Sequence, residues 1–113
     1  MKALVTLLFI ALAPAMAWAH SQAQETSPAD GAVLAKMPGE IALTFTDKLR
    51  LTKLEVHHSD GVTQELDLSS FKAFATEFAL PLDAMGAGDY EVEWRGLGID
   101  GHAMKGTFSF EVE

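Results

Sequence analysis

Apolar and polar residues alternate with a period of two in short runs along most of this chain, and that period commits it to strands. Ile41, Leu43 and Phe45 alternate with Ala42, Thr44 and Thr46, the pattern of a half-buried strand. Leu54, Val56 and His58 repeat the alternation, and Ser59-Asp60-Gly61 turns the chain into residues 63–68 as a hairpin. Phe78, Leu80 and Leu82 share one face of a further segment. Ala87-Gly88-Asp89 turns into Tyr90, Val92 and Trp94, with Glu91, Glu93 and Arg95 on the opposite face. A closing strand over residues 107–112 points Phe108, Phe110 and Val112 inward. Ser27-Pro28-Ala29-Asp30-Gly31 and Met37-Pro38-Gly39 read as breaks. No window beyond residue 19 carries a helical period, and there is no internal repeat, low-complexity tract or linker. Short strands between turn signals predict one all-β domain, an antiparallel β-sandwich or Greek-key barrel.

The first nineteen residues do not belong to that pattern. Lys2 supplies a short basic region, residues 3–13 are apolar, and Ala17-Trp18-Ala19 fits the small-x-small cleavage rule. The apolar run is too short and too lightly flanked to be a stable membrane span. We therefore expect residues 1–19 to be a cleaved signal peptide, the protein to be exported, and residues 20–113 to be the folded domain, without membrane insertion after cleavage. Removing nineteen of 113 residues leaves 94, enough for one small core. With no cysteine, that core must hold by packing alone. A thiol nucleophile, a thiol relay and any Cys-based zinc or copper(I) site are also excluded. The formal net charge of −8 argues against nucleic acid and anionic lipid as partners and mildly favours soluble cations. No long apolar edge calls for a second copy, so a monomer is expected.

Cleavage after Ala19 makes His20 the first residue. A terminal histidine offers one metal ion two nitrogens, its free α-amine and its ring Nδ1, in a six-membered chelate. Gly98-Ile99-Asp100-Gly101-His102 is the second feature. Asp-Gly is by itself only a turn dipeptide, but residues two apart in an extended segment point to one side, so Asp100 and His102 can reach one ion. The amine and ring of His20, the ring of His102 and the carboxylate of Asp100 make an N₃O set of the near-square kind that copper(II) favours. Glu25 is a candidate outer partner for His20. His57-His58, adjacent on a strand, point to opposite faces and are read as an ordinary strand edge rather than a chelate. Trp94 is read as core.

The residues at both ends together resemble the CopC family of periplasmic copper-binding proteins. The start matches in His20 followed by Thr26-Ser27-Pro28-Ala29-Asp30-Gly31, and the end in Tyr90-x-Val92-x-Trp94, Asp100-x-His102 and Gly106-x-Phe108-x-Phe110-x-Val112. The middle matches in strand pattern only. The resemblance implies a seven-stranded Greek-key barrel or sandwich of immunoglobulin- or cupredoxin-like appearance. It also implies copper(II) ligands at His20, Asp100 and His102, one ion per chain, and a partner of the CopD-like inner-membrane importer kind. Some members of the family carry a methionine-rich copper(I) site in a mid-chain loop. The corresponding residues 46–53 here contain neither methionine nor histidine. Met37, Met85 and Met104 are scattered and read as packing residues. No copper(I) site is therefore expected.

Three functions compete on this reading. The first is a non-enzymatic copper(II)-binding protein of copper homeostasis, serving buffering, resistance or delivery. The second is a copper enzyme, because lytic polysaccharide monooxygenases also use a terminal-histidine chelate. A 94-residue domain offers little surface for a polysaccharide, however, and Asp100 as fourth ligand fills the position that oxygen chemistry needs open. The third is a secreted β-sandwich interaction module indifferent to metal.

Overall fold

The computed structural model describes Ala23 and residues 25–113. These residues form seven strands: β1 (Glu25–Ser27), β2 (Ala32–Leu34), β3 (Glu40–His58), β4 (Thr63–Glu65), β5 (Ala75–Pro81), β6 (Gly88–Gly98) and β7 (Ala103–Val112). There is no helix among the described residues, and the expected all-β domain is what the chain forms.

β3 organises the rest. Its first part, Glu40 to Thr44, lies between β1 and β5, while its later part lies between β4 and β6, which continues through β7 to β2. One strand is thus shared by two sheet regions that curl over a common core. The segments 41–45 and 54–58, read separately from the sequence, are therefore one strand, and residues 46–53 are strand rather than a mid-chain loop. β7 likewise begins at Ala103, four residues earlier than its apolar pattern signals. The antiparallel expectation holds for every pairing but one: β2 runs parallel to β7, with Ala32 opposite Phe110 and Leu34 opposite Val112. Asp30 leads the chain into that pairing by accepting the Ser109 N–H on Oδ1 at 2.9 Å.

The alternation along β3 changes phase, and the register shows why. Ile41, Leu43, Phe45, Leu49 and Leu51 are buried at odd positions, then Leu54, Val56 and His58 at even ones. Against β6, Leu51 faces Gly96 but Lys53 faces Arg95, so β3 carries one extra residue between them. Such a bulge swaps the faces of everything beyond it. Because β6 keeps a constant phase, with Tyr90, Val92 and Trp94 all inward, the extra residue is what lets Leu54 face Trp94 and Val56 face Val92.

Aromatic rings join the two regions. Phe45 meets Trp94 edge to face at 4.9 Å and Phe78 at 6.0 Å. Tyr90 stacks between His58 at 4.4 Å and Phe110 at 4.9 Å, one ring from each of three neighbouring strands. Trp94 also requires an empty place opposite it: a Cβ on Gly106 would lie 2.5 Å from the indole Nε1. Met37, Met85 and Met104 are partly buried and packed on the core, as read from the sequence. Phe45 is 3% exposed and touches both regions, so Phe45→Ala should destabilise the domain by about 3–5 kcal/mol. Urea unfolding of the two proteins measures the difference.

Candidate metal centre

β6 and β7 run as a ten-pair antiparallel ladder that ends at Leu97 opposite Ala103, and the turn beyond it carries Asp100 and His102. The Gly98 N–H donates to the His102 carbonyl at 2.9 Å, and the Gly101 N–H to the Gly98 carbonyl at 3.0 Å. Gly101 has φ of +83°, a left-handed conformation that glycine adopts without strain. Asp100 closes the turn from its side chain, with Oδ1 accepting the His102 backbone N–H at 3.1 Å and Oδ2 lying 2.5 Å from His102 Nδ1.

That last contact decides the tautomer. Hydrogen bonding from His102, first through its ring and then through its backbone N–H, holds the Asp100 carboxyl below the usual carboxylate value. An ionised carboxylate only accepts hydrogen bonds, so the proton sits on His102 Nδ1. In the neutral ring the Nε2 lone pair is then left for a metal, the arrangement by which a carboxylate orients a ligating imidazole. Both side chains are well exposed. The structure thus brings Asp100 and His102 together, with Asp100 facing the ring nitrogen opposite the free one. His20 lies outside the described residues.

The strand order gives the amino-terminal end a direction. β1 is antiparallel to β3, with Ser27 opposite Ala42 and Glu25 opposite Thr44. Passing backwards along β1 therefore means passing forwards along β3, toward Leu49, which pairs with Gly98 at the base of the Asp100 turn. Ala23 is partly buried against the core and lines a groove with Glu25, Trp94, Gly106 and Phe108.

The two other histidines separate as alternation requires, although β3 is flanked on both sides here and is not an edge. His58 is 8% exposed, stacked on Tyr90, with Nε2 2.8 Å from the Ala87 carbonyl and Nδ1 2.9 Å from Asp60 Oδ2. His57 faces outward, where Nε2 lies 3.4 Å from Glu55 Oε2 and 3.4 Å from Glu93 Oε2. Burial raises the Glu93 carboxyl pKa, but the His57 contact and the Lys53 and Arg95 charges outweigh it and leave the group below its ordinary value. Sequence reading missed this cluster. Glu93 stands on the outward face of the Tyr90-Val92-Trp94 strand, but only the pairing of Glu55 with Glu93 brings it to His57.

The family model for the CopC domain matches residues 23–113. The chain belongs to the CopC family. Copper resistance protein C of Xanthomonas campestris pv. juglandis is 30% identical over 118 residues, covering 96% of this chain and 92% of that protein. Protein YobA of Escherichia coli K12 is 25% identical over 114 residues, covering 96% and 91%. Among solved structures, CopC from Methylosinus trichosporium OB3b superposes with a TM-score of 0.63 at 23% identity, over 79% of this chain and 89% of that one. PcoC, a methionine-rich copper resistance protein from Escherichia coli, gives a TM-score of 0.54 at 23% identity, over 84% and 100%. At these identities the two structures speak for the fold, which the CopC family members share with this chain.

The Asp100–His102 pair makes a direct forecast. In His102→Ala the Asp100 carboxyl loses its main hydrogen bond, so its titration should move up toward the ordinary aspartate value of about 3.9. Carbon-detected NMR of both proteins without metal reads this. A carboxyl that titrates identically in the two would rule the pairing out. The sign for stability follows: a depressed carboxyl contributes above its unfolded value, and that contribution is lost as pH falls through the folded one.

Proposed function

We propose that this protein binds one copper(II) ion in the periplasm and acts in copper homeostasis as a buffer, a resistance protein or a carrier. The observation that carries the reading is the Asp100–His102 turn. It holds the His102 imidazole through Nδ1 at the end of the β6–β7 ladder, and β1 runs antiparallel to β3 with its amino-terminal end toward that turn. Only Ser21 and Gln22 lie between His20 and Ala23 in the sequence, so the two are at most about 10 Å apart in extended chain. With residues 1–19 removed as a signal peptide, the His20 amine and ring provide two donors and His102 Nε2 a third. Asp100 provides a carboxylate oxygen by turning from the ring to the ion.

The relatives named copper resistance protein C, from Xanthomonas campestris and Pseudomonas syringae, support copper as the ligand and a role in resistance. Nitrogen and oxygen donors without sulfur suit copper(II), and reduction should release the ion. Handover to a CopD-like inner-membrane importer extends the same reading from the family resemblance.

An EPR-monitored copper(II) titration of the exported protein, with mass spectrometry confirming residue one, tests it. One tetragonal species with nitrogen hyperfine structure should saturate at one copper per chain. His102→Ala, or an extra residue placed before His20, should weaken binding by about a hundredfold or more. Affinity should fall steeply between pH 8 and 5.5, because an amine of reference pKa about 7.7–8.0 and imidazoles of about 6.5 must lose protons to bind. A flat affinity across that range would refute this ligand set. At about a hundredfold excess of free copper over Kd the fold should gain about 2.7 kcal/mol; an unmoved melting temperature would favour the metal-indifferent interaction module.

A further inference from the structure

The outer face of the β4–β3–β6 region holds donors that the copper reading does not use. Glu55 and Glu93 are directly opposed on β3 and β6, and His57 stands two residues beyond Glu55 on the same face. Like charges directly opposed across a ladder repel, so this pair needs a positive group between its carboxylates. Each carboxylate spends one oxygen on a flanking cation: Lys53 Nζ lies 3.1 Å from Glu55 Oε1, and Arg95 lies 3.4 Å from Glu93 Oε1. The other oxygens, both Oε2, converge on His57 Nε2. The opposite ring nitrogen, Nδ1, is 2.8 Å from the Thr63 hydroxyl on β4. When Nδ1–H donates to that hydroxyl, Nε2 presents its lone pair to the space the two oxygens enclose. Three strands thus hold the imidazole and both carboxylates, and Glu55 keeps only 17% of its side chain exposed.

The separations from His57 Nε2 match those between ligands of a tetrahedral zinc ion. Zinc bonds of about 2.0–2.2 Å to nitrogen and oxygen place tetrahedral ligands about 3.3–3.6 Å apart. The two separations from Nε2 are 3.4 Å, and all three donor atoms lie within 4.8 Å of one another. A square copper(II) plane brings neighbouring donors closer, to about 3 Å, and an imidazole among the donors disfavours calcium and magnesium. Glu65, opposite Glu55 on β4, and Glu91, opposite His57 on β6, offset Lys53 and Arg95, so the charge of Glu55 and Glu93 leaves this face negative and attractive to a cation. We infer that Glu55, His57 and Glu93 form a second divalent-metal site, tetrahedral and suited to zinc(II), with water as fourth ligand and the Thr63 hydroxyl bracing His57. It does not depend on the Asp100–His102 site.

Residue-resolved NMR of the exported protein, titrated with zinc(II) alone, decides the matter. His102→Ala serves as the background, so that the proposed copper site is weakened and zinc at its remaining donors is told apart by shifts at His20 and Asp100. We expect saturation at one zinc per chain, with shifts centred on Glu55, His57 and Glu93 and the His57 ring fixed with Nε2 bound. Thr63→Val should weaken that binding by about tenfold, and Glu55→Gln with Glu93→Gln should abolish saturation. Shifts confined to other residues, or rising without saturation, would overturn the site. So would a His57 ring unaffected by millimolar zinc. Should the double variant not fold, the set of residues that zinc shifts in the His102→Ala protein still establishes the site or overturns it.

Discussion

Everything in this fold depends on one extra residue in β3. A nineteen-residue strand cannot serve two sheet regions with a strict period of two and still send its apolar side chains inward at both ends. The bulge between Leu51 and Lys53 resolves the conflict by switching the buried face from odd to even positions. Leu54 and Val56 then meet the inward side chains of β6, and the Phe45–Trp94 contact closes the two regions over a shared core. The same switch settles the histidines. His58 goes inward to stack on Tyr90 and His57 goes outward to the carboxylates, the reverse of what an unbroken alternation from Ile41 would give.

The copper-site candidate is built differently, from a tight turn at the end of a long ladder. The β6–β7 pairing is regular, so the Gly98–His102 turn is held at a fixed place, and two backbone hydrogen bonds with a left-handed Gly101 shape it. Asp100 then satisfies a backbone N–H and orients the ring of His102 at once. The two proposed metal sites thus differ in kind. One rests on an exposed turn, and the other on a sheet face where Glu55, His57 and Glu93 already lie together.

Membership of the CopC family agrees with this architecture. Residues 46–53 hold no methionine and here form part of β3, with Arg50 placed over the Phe74 ring at 6.0 Å. The three methionines outside the first nineteen residues pack on the core instead, where a flexible thioether fills irregular gaps.

What the sequence determined by itself was local. Alternation marked the strands around Ile41, Phe78, Val92 and Phe108, turn chemistry marked Asp60-Gly61 and Asp100-Gly101, and the i, i+2 spacing put Asp100 beside His102. These features were legible because each depends on residues within one turn or one strand. The tertiary structure alone decided the continuity of β3 through its polar stretch at residues 46–48, the parallel β2–β7 pair and the meeting of Glu55 with Glu93. Each of those depends on which strand lies alongside and in what register. Register is set by the summed burial of both partners and by a bulge that carries no residue signature of its own.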